Sequence, residues 1–196
     1  MPVIEQPHQR SSSVTRGRAA APEFPRPRLP EQTRAWNQDT PFGALPIVVS
    51  TRGLRLIRLD HRLEARAEAQ SIGLDDLSPE PYQPVVEQLN EYFAGRRHRF
   101  DLALDLSGLT DFTRRVLTAL AEISFGQVTS YGELARLAGS PKASRAVGRA
   151  MAQNRLPIVL PCHRVLDSSG RLNGFAGGLP MKQALLEHEG ASGWRL

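Results

Sequence analysis

Between Leu45 and Asp60 the apolar positions gather into two short runs, Leu45–Ser50 and Leu54–Asp60, separated by Thr51-Arg52-Gly53. Two such runs around a polar, glycine-bearing turn predict a β-hairpin. In the second run the alternation slips at Leu56–Ile57, which predicts a bulge there. Val85, Val86, Leu89, Tyr92 and Phe93 then recur at the spacing of one helical face, and Gly95 is placed to stop that helix. Phe100, Leu102, Leu104 and Leu106 alternate with polar residues, the period of a half-buried strand. Residues 39–108 therefore predict a small α/β domain, a sheet with a helix laid on it and no catalytic cluster.

From residue 109 the pattern turns helical. Phe112, Val116, Leu117, Leu120 and Ile123 form one apolar stripe, with Thr110 or Asp111 as its cap and an end near Gly126. Ser130-Tyr131-Gly132-Glu133 has capping-box spacing, followed by Leu134 and Leu137 as core positions and Gly139 as the stop. Ser140-Pro141 predicts the start of another helix, whose inner stripe is Ala143, Ala146, Val147, Ala150 and Met151. Two short helices across a tight Gly-Ser-Pro turn, the second carrying Lys142, Arg145 and Arg149, match a helix-turn-helix. Leu156–Leu160 reads as a buried strand and Met181–Glu189 as a closing helix. Residues 109–196 are expected to form a mainly α domain. By contrast, residues 1–38 hold six prolines, the Ser11–Ser13 run and little apolar periodicity. Such a segment cannot bury enough surface to offset its ordering entropy, so a disordered Arg/Pro-rich arm is expected.

Composition narrows the class. A chain of 196 residues, 40% apolar, can build one domain or two small ones around a core. Its single cysteine excludes an intramolecular disulfide and a cysteine-clustered zinc site. No apolar run approaches the roughly 20 residues that span a membrane, and residues 1–35 lack the apolar stretch of a secretory leader. The expectation is a soluble, cytoplasmic protein with no membrane partner. The net charge of +5 is uneven: +3 over residues 1–35, −3 over 36–109 and +5 over 110–196. A basic C-terminal half points to an anionic partner, nucleic acid first, although a solvated surface carries similar excesses.

Candidate chemistry sits in Pro161-Cys162-His163-Arg164-Val165. A lone cysteine behind an apolar run is by default an inert core residue. Here the neighbours matter, because an adjacent imidazole and guanidinium favour the thiolate. Successive residues of a strand face opposite sides, so Cys162 and His163 can cooperate only if Pro161 sits at a bend. A carboxylate should then orient the imidazole. Glu187 and Glu189 are the nearest later candidates, and spacing does not choose between them.

These residues belong to a longer series. Phe125-Gly126-Gln127-Val128-Thr129-Ser130-Tyr131, Lys142-Ala143-Ser144-Arg145-Ala146-Val147-Gly148 and Asn154 precede the cysteine. Gly174-Phe175-Ala176-Gly177-Gly178-Leu179, Lys182 and Leu185-Leu186-Glu187-His188-Glu189-Gly190 follow it. Over roughly residues 109–190 the chain resembles the O6-alkylguanine-DNA alkyltransferase family, in its bacterial methylated-DNA–protein-cysteine methyltransferase form. The resemblance implies repair by direct reversal: irreversible transfer of the alkyl group of O6-alkylguanine, and of O4-alkylthymine, in duplex DNA to Cys162. It implies a bacterial cytoplasmic location and a monomer acting on double-stranded DNA; transfer to sulfur needs no cofactor, and although some relatives carry a structural zinc in the N-terminal domain, one Cys and scattered His lead us to expect no metal here. His163 would be the base acting on Cys162 through a water, Glu189 the group fixing His163, and Asn154 the brace of the intervening turn. Arg145 would be the finger entering the duplex, with Lys142, Ser144 and Arg149 on the same DNA-binding surface. Tyr131 would help turn the nucleotide outward and, with Met151, Val165 and Ala176, form the base pocket. The resemblance also implies a ribonuclease-H-like fold for the N-terminal domain and a winged-helix-like setting for the helix-turn-helix.

The chain departs from the family pattern at several positions. Ala176 stands where some relatives have Ser, Leu117 where many have Trp, and Ile123-Ser124-Phe125-Gly126 replaces Ile-Pro-Tyr-Gly. Non-enzymatic relatives carry Trp at the acceptor position, and Cys162 argues against that alternative. Elementary chemistry agrees with the enzymatic reading. The O6 atom takes part in base pairing, so the base must be extruded to be reached. A thioether product leaves no step that regenerates the thiol, so each molecule should react once.

Overall fold

The structure, a computed structural model, describes residues 33–59 and 82–196. Most of the expected arm, residues 1–32, lies outside the described residues. Its end does not behave as expected: Arg34–Gln38 is a strand, β1, inside the stretch read as disordered. β1 pairs antiparallel with β2 (Leu45–Ser50), Arg34 opposite Val49 and Gln38 opposite Leu45, and sends Trp36 into the core. Five residues, three of them polar, were too short a pattern to register. β2 is the central strand and every residue of it is buried; β3 (Gly53–Ile57) completes the predicted hairpin. The bulge falls at Arg55 rather than Leu56–Ile57, since Val48 faces Leu56 while Val49 faces Leu54.

Gly53 has φ +124°, and a Cβ there would sit 2.1 Å from the Ala103 carbonyl oxygen, so only glycine fits. That close approach lets Leu54 donate to the Ala103 carbonyl (2.9 Å) and accept from the Asp105 N–H (2.8 Å). Beyond this single bridge the expected strand over Phe100–Leu106 does not form. Asp105 turns inward instead, accepting from the Ser50 hydroxyl (2.6 Å) and Arg55 (2.9 Å). The N–H of Ile57 is taken by the Arg155 carbonyl (2.8 Å), a link from the sheet to the C-terminal half. Helix α1, Gln83–Phe93, packs Val85, Leu89 and Tyr92 inward and stops before Gly95 (φ +69°), as predicted.

Helix α2, Asp111–Ala121, is capped by Thr110, whose hydroxyl accepts from the Thr113 N–H, and it ends at Glu122, short of Gly126. Helix α3, Tyr131–Leu137, follows the two-residue strand β4 (Thr129–Ser130). Ser130 caps it, but Glu133 does not close the capping box; its carboxylate pairs with Arg136 (2.6 Å). Leu137, expected in the core, is 46% exposed. The buried face of α3 runs through Leu134, Ala135 and Ala138, and Leu137 lies about 100° round from its centre. Helix α4 is Ser144–Met151, starting later than Ser140-Pro141 suggested. Ser140–Ala143 forms a turn closed by the Ala143 N–H on the Ser140 carbonyl (2.9 Å), so Lys142 precedes the helix.

Leu156–Leu160 is buried but is not a strand. It is a tight loop in which the Leu160 N–H reaches the Leu156 carbonyl (2.8 Å) and Ile158 adopts φ +74°. A 3-10 turn, Cys162–Arg164, leads into β5 (Val165–Leu166), which pairs parallel with β4. Helix α5, Gly178–His188, closes the chain's core with Glu189 as its C-terminal cap residue. One continuous apolar cluster runs from Trp36, Ile47 and Leu54 through Tyr92 to Val116, Leu134 and Leu185. Among the described residues no helix is long and apolar enough to cross a membrane.

Candidate active site

The cysteine is positioned by the loop before it. The Asn154 amide nitrogen donates to the Leu160 carbonyl (2.9 Å) while its oxygen accepts from the Leu156 N–H (3.0 Å). One side chain thus ties together both ends of the loop that holds Ile158 at positive φ. A β-branched residue there costs on the order of 1–3 kcal/mol, which these bonds and the burial of the loop offset. Pro161 then bends the chain into the 3-10 turn, so Cys162 and His163 are not consecutive positions of a flat strand. The bend that cooperation required is present.

Cys162 is partly exposed and opens into a cavity of about 460 Å³. Tyr131, Met151 and Ala176, three of the four residues read as a base pocket, line it together with Asn154, Gly148, Pro157 and Phe175. Val165 does not. It is fully buried, and its carbonyl accepts from the Lys182 ammonium (2.6 Å). Lys182, wholly buried, also donates to the Asn173 carbonyl (3.1 Å) and side-chain oxygen (3.2 Å). The same Asn173 oxygen accepts from the Tyr131 hydroxyl (3.2 Å). Burial lowers the Lys182 pKa to about 8. Burial likewise pushes the Cys162 thiol up to about 11, against smaller pulls from Asn154 and Lys182. At neutral pH the group at rest is therefore a thiol, which needs a base.

His163 is fully buried, with Nε2 2.8 Å from Glu189 Oε1. Glu189 is the one of the two carboxylates that meets His163; Glu187 accepts from Gln183 and faces solvent. Glu189 Oε1 also accepts from Tyr92 Oη (2.7 Å) and Arg164 Nη2 (2.8 Å), and Oε2 from Arg164 Nε (2.8 Å) and the Gly126 N–H (3.3 Å). Burial works against the charge of Glu189, but the hydrogen bonds of His163 and Arg164 outweigh it and hold its pKa well below the usual carboxylate range. Burial pushes the His163 pKa down, opposed by Glu189. An ionised carboxylate only accepts, so Nε2 of the neutral imidazole carries the proton. The lone pair is left on Nδ1, which has no hydrogen-bond partner among the described residues.

Arg164 is not where the sequence reading put it. Its guanidinium turns away from the thiol into the bidentate pair with Glu189, donates to the Ile123 carbonyl and lies 5.9 Å from the Phe125 ring centroid. Sequence reasoning also missed Tyr92, which had read only as a core position of its helix. Lys142, Arg145 and Arg149 are exposed and make no ion pair among the described residues; Ser144 is half-buried at the start of α4. Arg145 shares a helix face with Gly148 and Ala152, both of which line the cavity. Among the described residues no group of His, Cys, Asp and Glu gathers closely enough to hold a metal ion.

Family models of the 6-O-methylguanine DNA methyltransferase ribonuclease-like domain and DNA-binding domain match residues 38–106 and 111–191. The methylated-DNA–protein-cysteine methyltransferase of Mycobacterium tuberculosis is 42% identical over 151 residues, spanning 77% of this chain and 88% of that protein. The human protein of the same name is 38% identical over 161 residues, 78% of each chain. The crystal structure of Mycobacterium tuberculosis OGT in complex with DNA aligns with a TM-score of 0.69 at 40% identity, covering 81% of this chain and 92% of that one. Fold, cysteine cluster and relatives agree: the chain belongs to the 6-O-methylguanine DNA methyltransferase family, a ribonuclease-like domain followed by a DNA-binding domain.

Proposed function

We propose that this protein repairs DNA by moving the alkyl group of O6-alkylguanine onto Cys162, once per molecule. The observation that carries the reading is a thiol opening into a cavity of about 460 Å³ beside a buried His163–Glu189–Arg164 relay. The Cys162 proton passes through one water to His163 Nδ1, and Glu189 stabilises the imidazolium that forms. Sulfur then attacks the alkyl carbon; the S–C bond forms, the C–O bond breaks and its electron pair stays on O6. Guanine finally takes up the proton that left the thiol. O4-alkylthymine presents the same exocyclic ether and reacts in the same way. No cofactor enters this scheme.

Delivery of the base falls to α3, α4 and the turn between them, acting as a helix-turn-helix in a winged-helix-like setting. Lys142, Ser144 and Arg149 contact phosphates, Arg145 fills the gap left by the extruded nucleotide, and Tyr131 guides it outward. Tyr131, Met151 and Ala176 hold the base. The protein acts as a monomer in the bacterial cytoplasm, with the catalytic domain over residues 109–196 and the ribonuclease-like domain before it, β1 included. The test is incubation with a duplex carrying labelled O6-methylguanine, followed by peptide mapping. Label on the peptide containing Cys162, and none on Cys162→Ala, is the expected result. Label elsewhere, or release of free methanol, overturns the proposal.

A further inference from the structure

The relay that serves Cys162 is not built by the C-terminal domain alone. Tyr92 lies on α1 of the ribonuclease-like domain, is wholly buried, and places its hydroxyl 2.7 Å from Glu189 Oε1, across 97 positions of sequence. Its backbone carbonyl accepts from His188 Nε2 (2.9 Å), and the two rings stand 5.2 Å apart. Consecutive residues at the end of α5, His188 and Glu189, are thus bolted to one residue of the other domain. Phe42, Phe93, Phe100 and Phe125 pack around that joint.

We infer that Tyr92 is a positioning residue for the alkyl-transfer reaction, through which the ribonuclease-like domain sets the orientation and basicity of Glu189 and hence of His163. The inference rests on the proposed function for the reaction that the relay serves. Its physical basis is competition for one oxygen. Glu189 Oε1 accepts from Tyr92, His163 and Arg164 together. A phenol donating to a carboxylate draws charge from it and weakens what the carboxylate offers its other partners. Tyr92 cannot reverse this role, because burial, with Glu189 beside it, drives its pKa far above the ordinary phenol value and keeps the proton on the ring oxygen. Besides Tyr92, the titratable and charged groups around the relay are Arg164 beside Glu189, Arg164 and Lys182 near His163, and the Cys162 thiol near Lys182; His188 packs against the Tyr92 ring. None of these occupies the Tyr92 hydroxyl's position on Oε1.

Tyr92→Phe removes the hydroxyl and keeps the ring, so the aromatic joint stays filled. The carboxylate then binds the imidazolium more strongly, and the His163 pKa rises. The readouts are the imidazole titration of His163 by nitrogen-resolved NMR and the pH profile of single-turnover transfer, on the full-length chain. The expected result is a His163 titration moved upward by about half a unit to one unit, with the acid limb of the single-turnover rate moved by the same amount. Wild-type titration and an unmoved acid limb in Tyr92→Phe would reduce Tyr92 to a packing residue and overturn the inference. The NMR readout keeps the two claims apart. A shifted His163 titration in a protein that transfers no alkyl group would refute the proposed function and leave the coupling standing.

Discussion

Glu189→Gln keeps the shape of the side chain at the centre of the relay and removes its charge. Arg164, 4% exposed, then holds a buried guanidinium with no ion partner, a loss that costs about 3–5 kcal/mol when one member of a buried pair is removed. The amide adds to the damage. Glu189 Oε1 accepts three donors and Oε2 two, so an NH2 group in either place confronts at least two N–H or O–H groups. Against a total of about 5–15 kcal/mol, urea unfolding at neutral pH should lose roughly a fifth or more of the stability. The pH dependence follows from the direction of the Glu189 shift. Its folded pKa lies below the unfolded value of about 4.3, so its stabilisation is complete above that pH and fades as pH falls toward the folded pKa. The gap between wild type and Glu189→Gln should narrow below about pH 4, by up to about 1.4 kcal/mol per pH unit. A loss under about 1 kcal/mol at neutral pH, or a gap that does not change on acidification, would refute this account of the relay.

Asn154→Ala frees the Leu156 N–H and the Leu160 carbonyl inside a buried loop, so it should cost about 1–3 kcal/mol in urea unfolding and slow single-turnover transfer as Cys162 loses its fixed position. Unchanged transfer would mean that the loop holds itself. Arg145→Ala should slow transfer from duplex DNA far more than from the free O6-methylguanine base, which needs no extrusion, and Arg145→Lys should recover little because an ammonium lacks the planar guanidinium. Equal slowing on both substrates would move Arg145 out of the finger role.

Periodicity located the hairpin, α1, α2 and α3 because each carries enough apolar positions to define a face. It failed where tertiary contacts decide. Arg34–Gln38 becomes a strand only because β2 offers it an edge, and Leu156–Leu160, apolar enough for a strand, is folded into a loop by the two bonds of Asn154. Phe100–Leu106 has a strand's alternation, yet the bulge at Arg55 and the inward turn of Asp105 leave it one bridge. The site was legible along one stretch of chain: Cys162, His163 and Asn154 lie close in sequence, and the resemblance supplied Glu189. Tyr92 was not legible, since nothing in a core position of α1 announces that its hydroxyl meets a carboxylate of the other domain. The direction of the Cys162 shift was also hidden. Adjacency to Arg164 suggested a lowered pKa, but the guanidinium faces Glu189 and burial raises it instead.

The central claim is that Cys162 accepts one alkyl group and keeps it. Intact-protein mass spectrometry after incubation with an excess of duplex containing O6-methylguanine tests it most directly. The account predicts that every molecule gains a single methyl group and that repaired guanine stops accumulating at one equivalent of protein. Repair continuing past one equivalent, with the protein mass unchanged, would contradict it.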